Sequence, residues 1–174
     1  MDHIFESERL YFRPWRLEDA ERCFALSSDE LVGPMCGWTP HKTADETRAV
    51  LRDILINDHT FAVVEKTTGE VIGNIGLDPV FDAAGNAVAD ERELGFWLGR
   101  PYWNRGYMTE AAKRAVKYCR EVLRCKRLYC CYFTGNGQSA RVQEKCGFKR
   151  KSVKTVFWKG LNREMELNCN VIEL

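Results

Sequence analysis

The sequence predicts an α/β fold in which one mixed sheet carries helices on its faces. Three observations predict it. At 174 residues the chain suits one domain, residues 1–174, large enough to bury a full core without staples. Its apolar periodicity switches between strand and helix in the order β-α-α-β-β-β-α-β-α-β-β. Consecutive strands early in that order and a βαβα run late in it need a mixed sheet with helices packed against it.

The elements follow in turn. "RLYFRPW" (9–15) reads as a strand, and "RLEDAERCFALSSD" then places Leu17, Ala20, Cys23, Phe24 and Ser27 at helical spacing. "GPMCGWTPH" (33–41), dense in Gly, Pro and aromatics, breaks the pattern. Thr43 caps a second helix, with Glu46 at the capping-box position, and that helix runs to about Asn57. "TFAVVEKTTGEVIGNIGL" gives two strands around a turn at Thr67 to Gly69. "DPVFDAAGNAVADER" reads as a polar loop leading into the strand "ELGFWL". Beyond a helix that starts at Gly106, "KRLYCCYF" (126–133) is a further strand. A short helix lies within "NGQSARVQEKCGF", with Gly147 placed to end it. "KSVKTVFWKGLNREMELNCNVI" closes the order as a hairpin turning near Gly160 and Asn162.

Composition narrows the function. With 26 Lys and Arg against 25 Asp and Glu, the net charge of +1 offers no overall surface for nucleic acid. The eight Cys include the adjacent Cys130 and Cys131 but no Cys-x-x-Cys pair, and there are only three His, which argues against a zinc cluster and predicts no metal. Cys119, Cys130 and Cys146 fall within apolar patterns, where a free thiol acts as a small hydrophobe. A catalytic Cys would need a positioned base. "MDHIFESERL" lacks the apolar centre of a signal peptide, and no stretch approaches about 18 apolar residues. The reading is a cytoplasmic protein with reduced thiols and no membrane partner.

The stretch "GRPYWNRGYMTEAAKRAV" (99–116) carries the chemistry. Met108, Ala111, Ala112, Ala115, Val116, Cys119, Val122 and Leu123 mark one face of a helix, and Lys113, Arg114, Lys117 and Arg120 mark the other. The start of such a helix offers unpaired N–H groups and the positive end of a dipole. Gly106 lets an anion approach the backbone and Arg105 adds charge. The turn by itself reads better as a plain strand-to-helix connection. It matches neither the dinucleotide nor the P-loop pattern.

The neighbouring residues change that balance. "ELGFWLGRPYWNRGYMTEA", followed about thirty residues later by "NGQSARVQEKCGF", resembles the acetyl-CoA-binding core of the GNAT acyltransferase superfamily. Within it the chain is most similar to the RimJ/RimL-like branch of ribosomal-protein N-terminal acetyltransferases. "ERLYFRPWRLEDAE" and "NIGL" extend the resemblance through nearly the whole chain. It implies a GNAT fold, with a mostly antiparallel mixed sheet and helices on both faces. The superfamily's pyrophosphate pattern [QR]-x-x-G-x-[GA] falls on Trp103, Asn104, Arg105, Gly106, Tyr107 and Met108. The glycine matches, Trp103 and Met108 depart, and Thr109 completes the turn.

The resemblance also assigns roles. The backbone at Phe96, Trp97 and Leu98 would hold the pantetheine arm as though it were another strand. Asn136 and Ser139 match an N-x-x-S element, Asn136 toward the pantetheine and Ser139 toward the sulfur as proton donor, with a tyrosine such as Tyr107 as its rival. Each of the pair equally suits the first turn of a helix. The basic residues Arg141, Lys145 and 149–151 read as a solvated face, with some near the cofactor's ribose phosphate.

The implied reaction is direct attack of an amine on the thioester of acetyl-CoA. An α-amino group titrates near ~8 and a lysine amine near ~10.4, so a terminal amine needs little help from a base. Glu93 is the candidate base, because the family often carries a carboxylate on that strand, and it shares a face with Gly95 and Trp97. The acceptor pocket falls to Trp38 and His41 in the 33–41 break and to the loop after Leu77. A protein or peptide N-terminus, a polyamine and an aminoglycoside all suit that description, and a monomer and a homodimer remain equally open. Two rival classes are an inactive acyl-CoA-binding module or sensor and a nucleotide-binding regulator built on the same turn. Turnover separates the first reading from both, and preference for CoA over ATP separates the rivals.

Overall fold

A computed structural model describes residues 3–174. The strands are β1 (Phe5–Glu6), β2 (Leu10–Pro14), β3 (Thr60–Glu65), β4 (Val71–Phe81), β5 (Ala87–Leu98), β6 (Arg127–Phe133), β7 (Lys149–Trp158) and β8 (Arg163–Glu173). The helices are α1 (Ala20–Ser27), α2 (Gly33–Cys36), α3 (Ala44–Val50), α4 (Tyr107–Glu121) and α5 (Gly137–Lys145). All eight strands form one sheet in the order β1-β2-β3-β4-β5-β6-β8-β7. Among the described residues only the β5–β6 pair is parallel, and a parallel pair needs a crossover, which α4 supplies. The expected mixed, mostly antiparallel sheet is present.

Its faces are covered by different helices. On one face Met108, Ala111, Ala112, Ala115 and Cys119 of α4 pack on Phe61, Val63, Ile75, Leu77 and Leu94, and Val142 and Cys146 of the α5 segment join them. On the other, Cys23 and Leu26 of α1 and Leu51 after α3 pack on Ala62, Val64 and Trp97. Alternation along the strands produces this division, since successive side chains point to opposite faces. The α4 stripe runs as expected through Cys119, but Val122 lies past the helix end and is 58% exposed. Tyr107 is buried, which its position in a basic turn did not suggest.

Local chemistry sets the helix ends. Thr43 Oγ1 accepts the Glu46 N–H at 3.1 Å, while the Glu46 carboxylate accepts the Lys42 N–H at 2.7 Å. The helix that follows continues as one π-helical turn over Leu51–Leu55. Gly147, with φ +89°, follows the end of α5 as expected.

The stretch read as a polar loop after Leu77 is instead a long hairpin. β4 and β5 pair from Gly73↔Leu98 to Phe81↔Ala87, with a register shift at Pro79/Val80. Asp82 closes its tip by accepting the Ala84 and Asn86 N–H groups, each at 2.9 Å. The outer half of the hairpin is largely uncovered, so no half-buried alternation marks it.

Candidate active site

β5 and β6 run together only from Glu91↔Arg127 to Glu93↔Tyr129. β5 then continues to Leu98 and β6 to Phe133 without further pairing between them, so the sheet opens into a gap. Gly99 N–H donates to the Ile72 carbonyl at 2.9 Å, which sets the strand's alternation. Trp97 therefore turns its own N–H and C=O toward β4, and Phe96 and Leu98 turn theirs into the gap. The Leu98 carbonyl already accepts Trp103 Nε1–H at 2.7 Å. Of the three backbone positions expected to receive an arm, Phe96 and the Leu98 N–H are thus the ones that face it. Trp97 serves as wall.

The gap ends on α4. Gly106 caps that helix with φ +79°, a conformation natural to glycine, and Asn104 also lies in the left-handed region at +60°. The first helical bond runs from Glu110 N–H to the Gly106 carbonyl at 3.0 Å. The N–H groups of Tyr107, Met108 and Thr109 consequently have no carbonyl inside the helix. Four amides and a dipole end suit an anion, and Gly106, Tyr107, Met108 and Thr109 line a cavity of about 970 Å³. Arg105 is exposed and lies outside that lining.

On the β4–β5 floor of the same cavity stand two carboxylates. Glu93 lies directly across from Asp78, next to the glycine pair Gly95↔Gly76. A methyl group at Gly76 would come within 3.2 Å of Asp78 Oδ2, so the Asp78 carboxylate leans over the glycines. Asp78 also meets His59, Nε2 to Oδ1 at 3.3 Å. Loss of solvation raises the Asp78 carboxyl above its ordinary range, against the pull of His59. Loss of solvation also raises Glu93, the Asp78 charge raises it further, and Lys154 opposes both. A raised carboxylate in a cleft is suited to proton transfer near neutral pH.

The residue pattern of an acetyltransferase (GNAT) domain matches residues 9–149. The chain belongs to the GNAT acetyltransferase family. It is an acyltransferase. It is 26% identical over 168 residues to the uncharacterized N-acetyltransferase p20 of Bacillus licheniformis, covering 92% of this chain and 90% of that one. A GNAT-family acetyltransferase from Bacillus anthracis superposes with a TM-score of 0.84 at 23% identity, covering 97% and 96% of the two chains. A spermidine N-acetyltransferase from Vibrio cholerae, solved with CoA and spermine, has a TM-score of 0.77 at 16% identity, with 95% of each chain covered.

In this GNAT chain the N-x-x-S residues are first of all a helix cap. Asn136 Oδ1 accepts the Ser139 N–H at 3.0 Å, and Asn136 Nδ2 donates to the Met35 carbonyl at 3.1 Å. Ser139 Oγ accepts Gln143 Nε2–H at 3.2 Å, which leaves its own hydroxyl proton to give. Both residues also line the cavity. The Tyr107 hydroxyl, the expected rival donor, donates to the Glu65 carboxylate. Tyr132, on β6, also lines the cavity.

The 33–41 segment lies across the cavity. It holds short α2, tied by Asn136 and by Trp158 Nε1–H, which donates to the Gly37 carbonyl at 2.7 Å. A Cβ on Gly160 would collide with that same carbonyl, so the hairpin approaches as closely as it does only with glycine there. Trp38 packs edge-on to Trp97, with ring centroids 5.9 Å apart, and its Nε1 is buried with no partner among the described residues. His41 Nδ1 lies 2.9 Å from Ser27 Oγ and 2.8 Å from Thr47 Oγ1. Burial lowers the His41 pKa against the pull of Glu46, favouring its neutral form. Both expected acceptor residues line the cavity, as do Arg141 and Lys145.

Sequence reasoning missed Asp78 because it placed that residue in a loop. The signal was there in the alternation Asn74, Gly76, Asp78, which continues the face of Gly95 and Glu93. It also read the Cys mostly as reduced core thiols. Cys23, Cys36, Cys119, Cys125, Cys130 and Cys146 are free, but Cys131 and Cys169 face each other across β6 and β8 and are joined by a disulfide. Burial pushes Cys119 to about 12 and Cys146 to about 11, far from a reactive thiolate at neutral pH. Among the described residues no group of three or more His, Cys, Asp or Glu is placed to hold a metal ion, and no helix is long and apolar enough to cross a membrane.

The carboxylate pair gives a pH prediction. Asp78→Asn removes the like charge beside Glu93, so the acid limb of kcat/KM should move to lower pH. The Asp78 side chain is 53% exposed, so solvent screens the repulsion and the same variant should melt only slightly higher at neutral pH. The sign follows from linkage. A carboxyl whose folded pKa is raised favours the native state while protonated and loses that contribution as pH rises through the folded pKa. The gain should therefore fade on acidification below about pH 4, where the unfolded carboxyl is also protonated. Thermal melts across pH and a pH–rate profile check both halves.

Proposed function

We propose that the chain transfers the acetyl group of acetyl-CoA to a primary amine, and that it works in the RimJ/RimL-like manner on a protein or peptide N-terminus. The observation that carries this reading is one cavity with two chemistries. An unpaired strand edge leads to an anion site at one end, and a carboxylate pair lies on the floor beside an aromatic wall. The strand edge and the four amides at Gly106 to Thr109 suit a pantetheine arm and its diphosphate. Bound there, acetyl-CoA supplies an activated carbonyl and a tolerable leaving group.

The residues divide the remaining work. Phe96 and the Leu98 N–H align the arm. Glu93 accepts the proton of the incoming ammonium, and Asp78 keeps its affinity for that proton high. Ser139 Oγ gives a proton or hydrogen bond to the departing thiolate. Trp38, Trp97 and His41 form the wall against which the acceptor's first side chain packs. An α-amine, at about 8, needs less from Glu93 than a lysine at about 10.4. The six free thiols fit the reducing cytoplasm, with Cys131–Cys169 as the exception, and cell fractionation tests that placement.

Thiol release from acetyl-CoA, measured against N-terminal peptides, polyamines and aminoglycosides, is the test. Preferred turnover of peptides supports the reading. CoA binding without turnover of any amine would make the chain an acyl-CoA-binding module instead, and preference for ATP a nucleotide regulator.

Ser139 has its own expected result. Ser139→Ala should lower kcat roughly ten- to a hundredfold, at the low end of general-acid effects, with acetyl-CoA affinity little changed. A thiol titrates near ~8.5, so its thiolate departs tolerably without full protonation. Tyr132→Phe, measured beside it, assigns the proton to the tyrosine if the loss appears there instead.

A further inference from the structure

The pyrophosphate turn has Trp103 where its pattern has Gln or Arg, and a guanidinium reaches the turn from elsewhere in the chain. Arg9 stands between β1 and β2. Its Nε–H donates to Glu110 Oε2 at 2.6 Å and its backbone N–H to Glu110 Oε1 at 2.8 Å, where Ser7 Oγ–H also donates at 2.7 Å. Its Nη1–H donates to the Arg105 carbonyl at 3.1 Å. The guanidinium carbon stands 4.3 Å from the centre of the Tyr107 ring. Tyr107 is anchored in turn on Glu65, whose other oxygen accepts Thr68 Oγ1–H at 2.9 Å.

Two consequences follow. A trans peptide is planar, so its C=O and the next N–H point in opposite directions. No peptide bond among the described residues is cis. Holding the Arg105 carbonyl toward Arg9 therefore aims the Gly106 N–H away from Arg9. Gly106 lines the cavity, whereas neither Arg9 nor Arg105 does. The second consequence concerns charge. Glu110 stands in the first turn of α4, where its carboxylate suits the helix dipole but opposes an incoming diphosphate. Burial works to raise the Glu110 carboxyl, but the Arg9 amide, Ser7 and the Arg9 guanidinium outweigh it and hold it below the usual range. Glu110 is thus ionised at neutral pH, and Arg9 is the cation that covers it.

We propose that Arg9 is the positioning residue of the diphosphate site, aiming the Gly106 amide into the cavity and cancelling the Glu110 charge behind it. Arg9 does not itself touch the ligand. This inference rests on the acetyl-CoA reading, and its test keeps the two apart.

The measurement is CoA titration by calorimetry and by amide NMR of the wild type, Arg9→Ala, Arg9→Lys and the double variant Arg9→Ala/Glu110→Gln. In the wild type the Gly106 amide proton should move downfield as CoA binds. Arg9→Ala should weaken CoA about ten- to fiftyfold, the size expected for a charge-assisted contact. Its Gly106 shift at saturation should shrink. Arg9→Lys keeps the charge but cannot serve Glu110, the carbonyl and the Tyr107 face together, so it should fall between. It also stands in if Arg9→Ala does not fold. The double variant should recover part of the affinity but not the Gly106 shift, because only the repulsion has been removed. Unchanged affinity, or weaker binding with the full Gly106 shift, overturns the role of Arg9. Failure of the wild type to bind CoA at all overturns the acetyl-CoA reading instead.

Discussion

Gly106→Glu should abolish the thermal stabilisation by acetyl-CoA. At about 100 times its dissociation constant, a ligand that binds only the native state stabilises it by about 2.7 kcal/mol, and the wild type should show a shift of that order. Three effects oppose binding in the variant. Gly106 lies at φ +79°, where a side chain costs roughly 1–2 kcal/mol. The new carboxylate adds a negative charge at the end of α4 proposed to receive the diphosphate. A Cβ there would also lie 3.6 Å from Arg9 Nη2, close enough for the new carboxylate to draw Arg9 from Glu110 and Arg105. Gly106→Ala carries only the first of these costs and should retain measurable binding. Melts of both variants, with and without acetyl-CoA, decide the matter. A wild-type-sized shift in folded Gly106→Glu would remove the turn from the site.

The same turn shows how much of the molecule was legible in the sequence. The α4 stripe was readable because a helix packed on a sheet must repeat its apolar face, and Met108 to Cys119 do so. The caps at Thr43 and Asn136 were readable because capping is local chemistry between neighbours in the chain. What lay beyond reach depends on contacts between distant residues. Arg9 and Glu110 meet across about a hundred positions, and nothing in "SERL" announces a brace for a helix start. Tyr107 looked like a proton donor in its motif, yet Glu65 at the end of β3 claims its hydroxyl. Cys131 and Cys169 pair only because β8 inserts between β6 and β7, an order the hairpin's sequence does not dictate.

Asp78 illustrates a different limit. Pro79, Asp82 and Gly85 signal a turn, and the turn is real, but it closes a hairpin whose strands outrun the core. Polarity there marks a cleft as well as a loop. Two carboxylates placed opposite each other cost stability, and a fold usually keeps such a pair where function needs it. That is the ground on which the pair is proposed for the chemistry, and composition alone could not supply it.

Glu93→Gln carries the second large expected effect. On the proposed reading the acceptor reaches the cavity mainly as an ammonium at neutral pH, and Glu93 accepts its proton before nitrogen attacks. Glutamine keeps the shape and can still donate or accept a hydrogen bond, but it cannot take up that proton. Positioned general bases contribute about a hundred- to ten-thousandfold. Near neutral pH, kcat/KM should therefore fall by about tenfold for an α-amine, roughly a tenth of which is already neutral, and by about a thousandfold for a lysine-like acceptor. The deficit should narrow as pH rises above about 8, where an α-amine arrives already neutral. It should persist further into alkali for a lysine-like acceptor, whose amine titrates near ~10.4. The wild type's acid limb, raised by desolvation and by Asp78, should disappear from the variant's profile. A constant ratio of the two profiles at every pH, in a variant that melts normally, would take the base role from Glu93. If Asp78→Asn then shows the narrowing deficit instead, the proton belongs to the opposite strand.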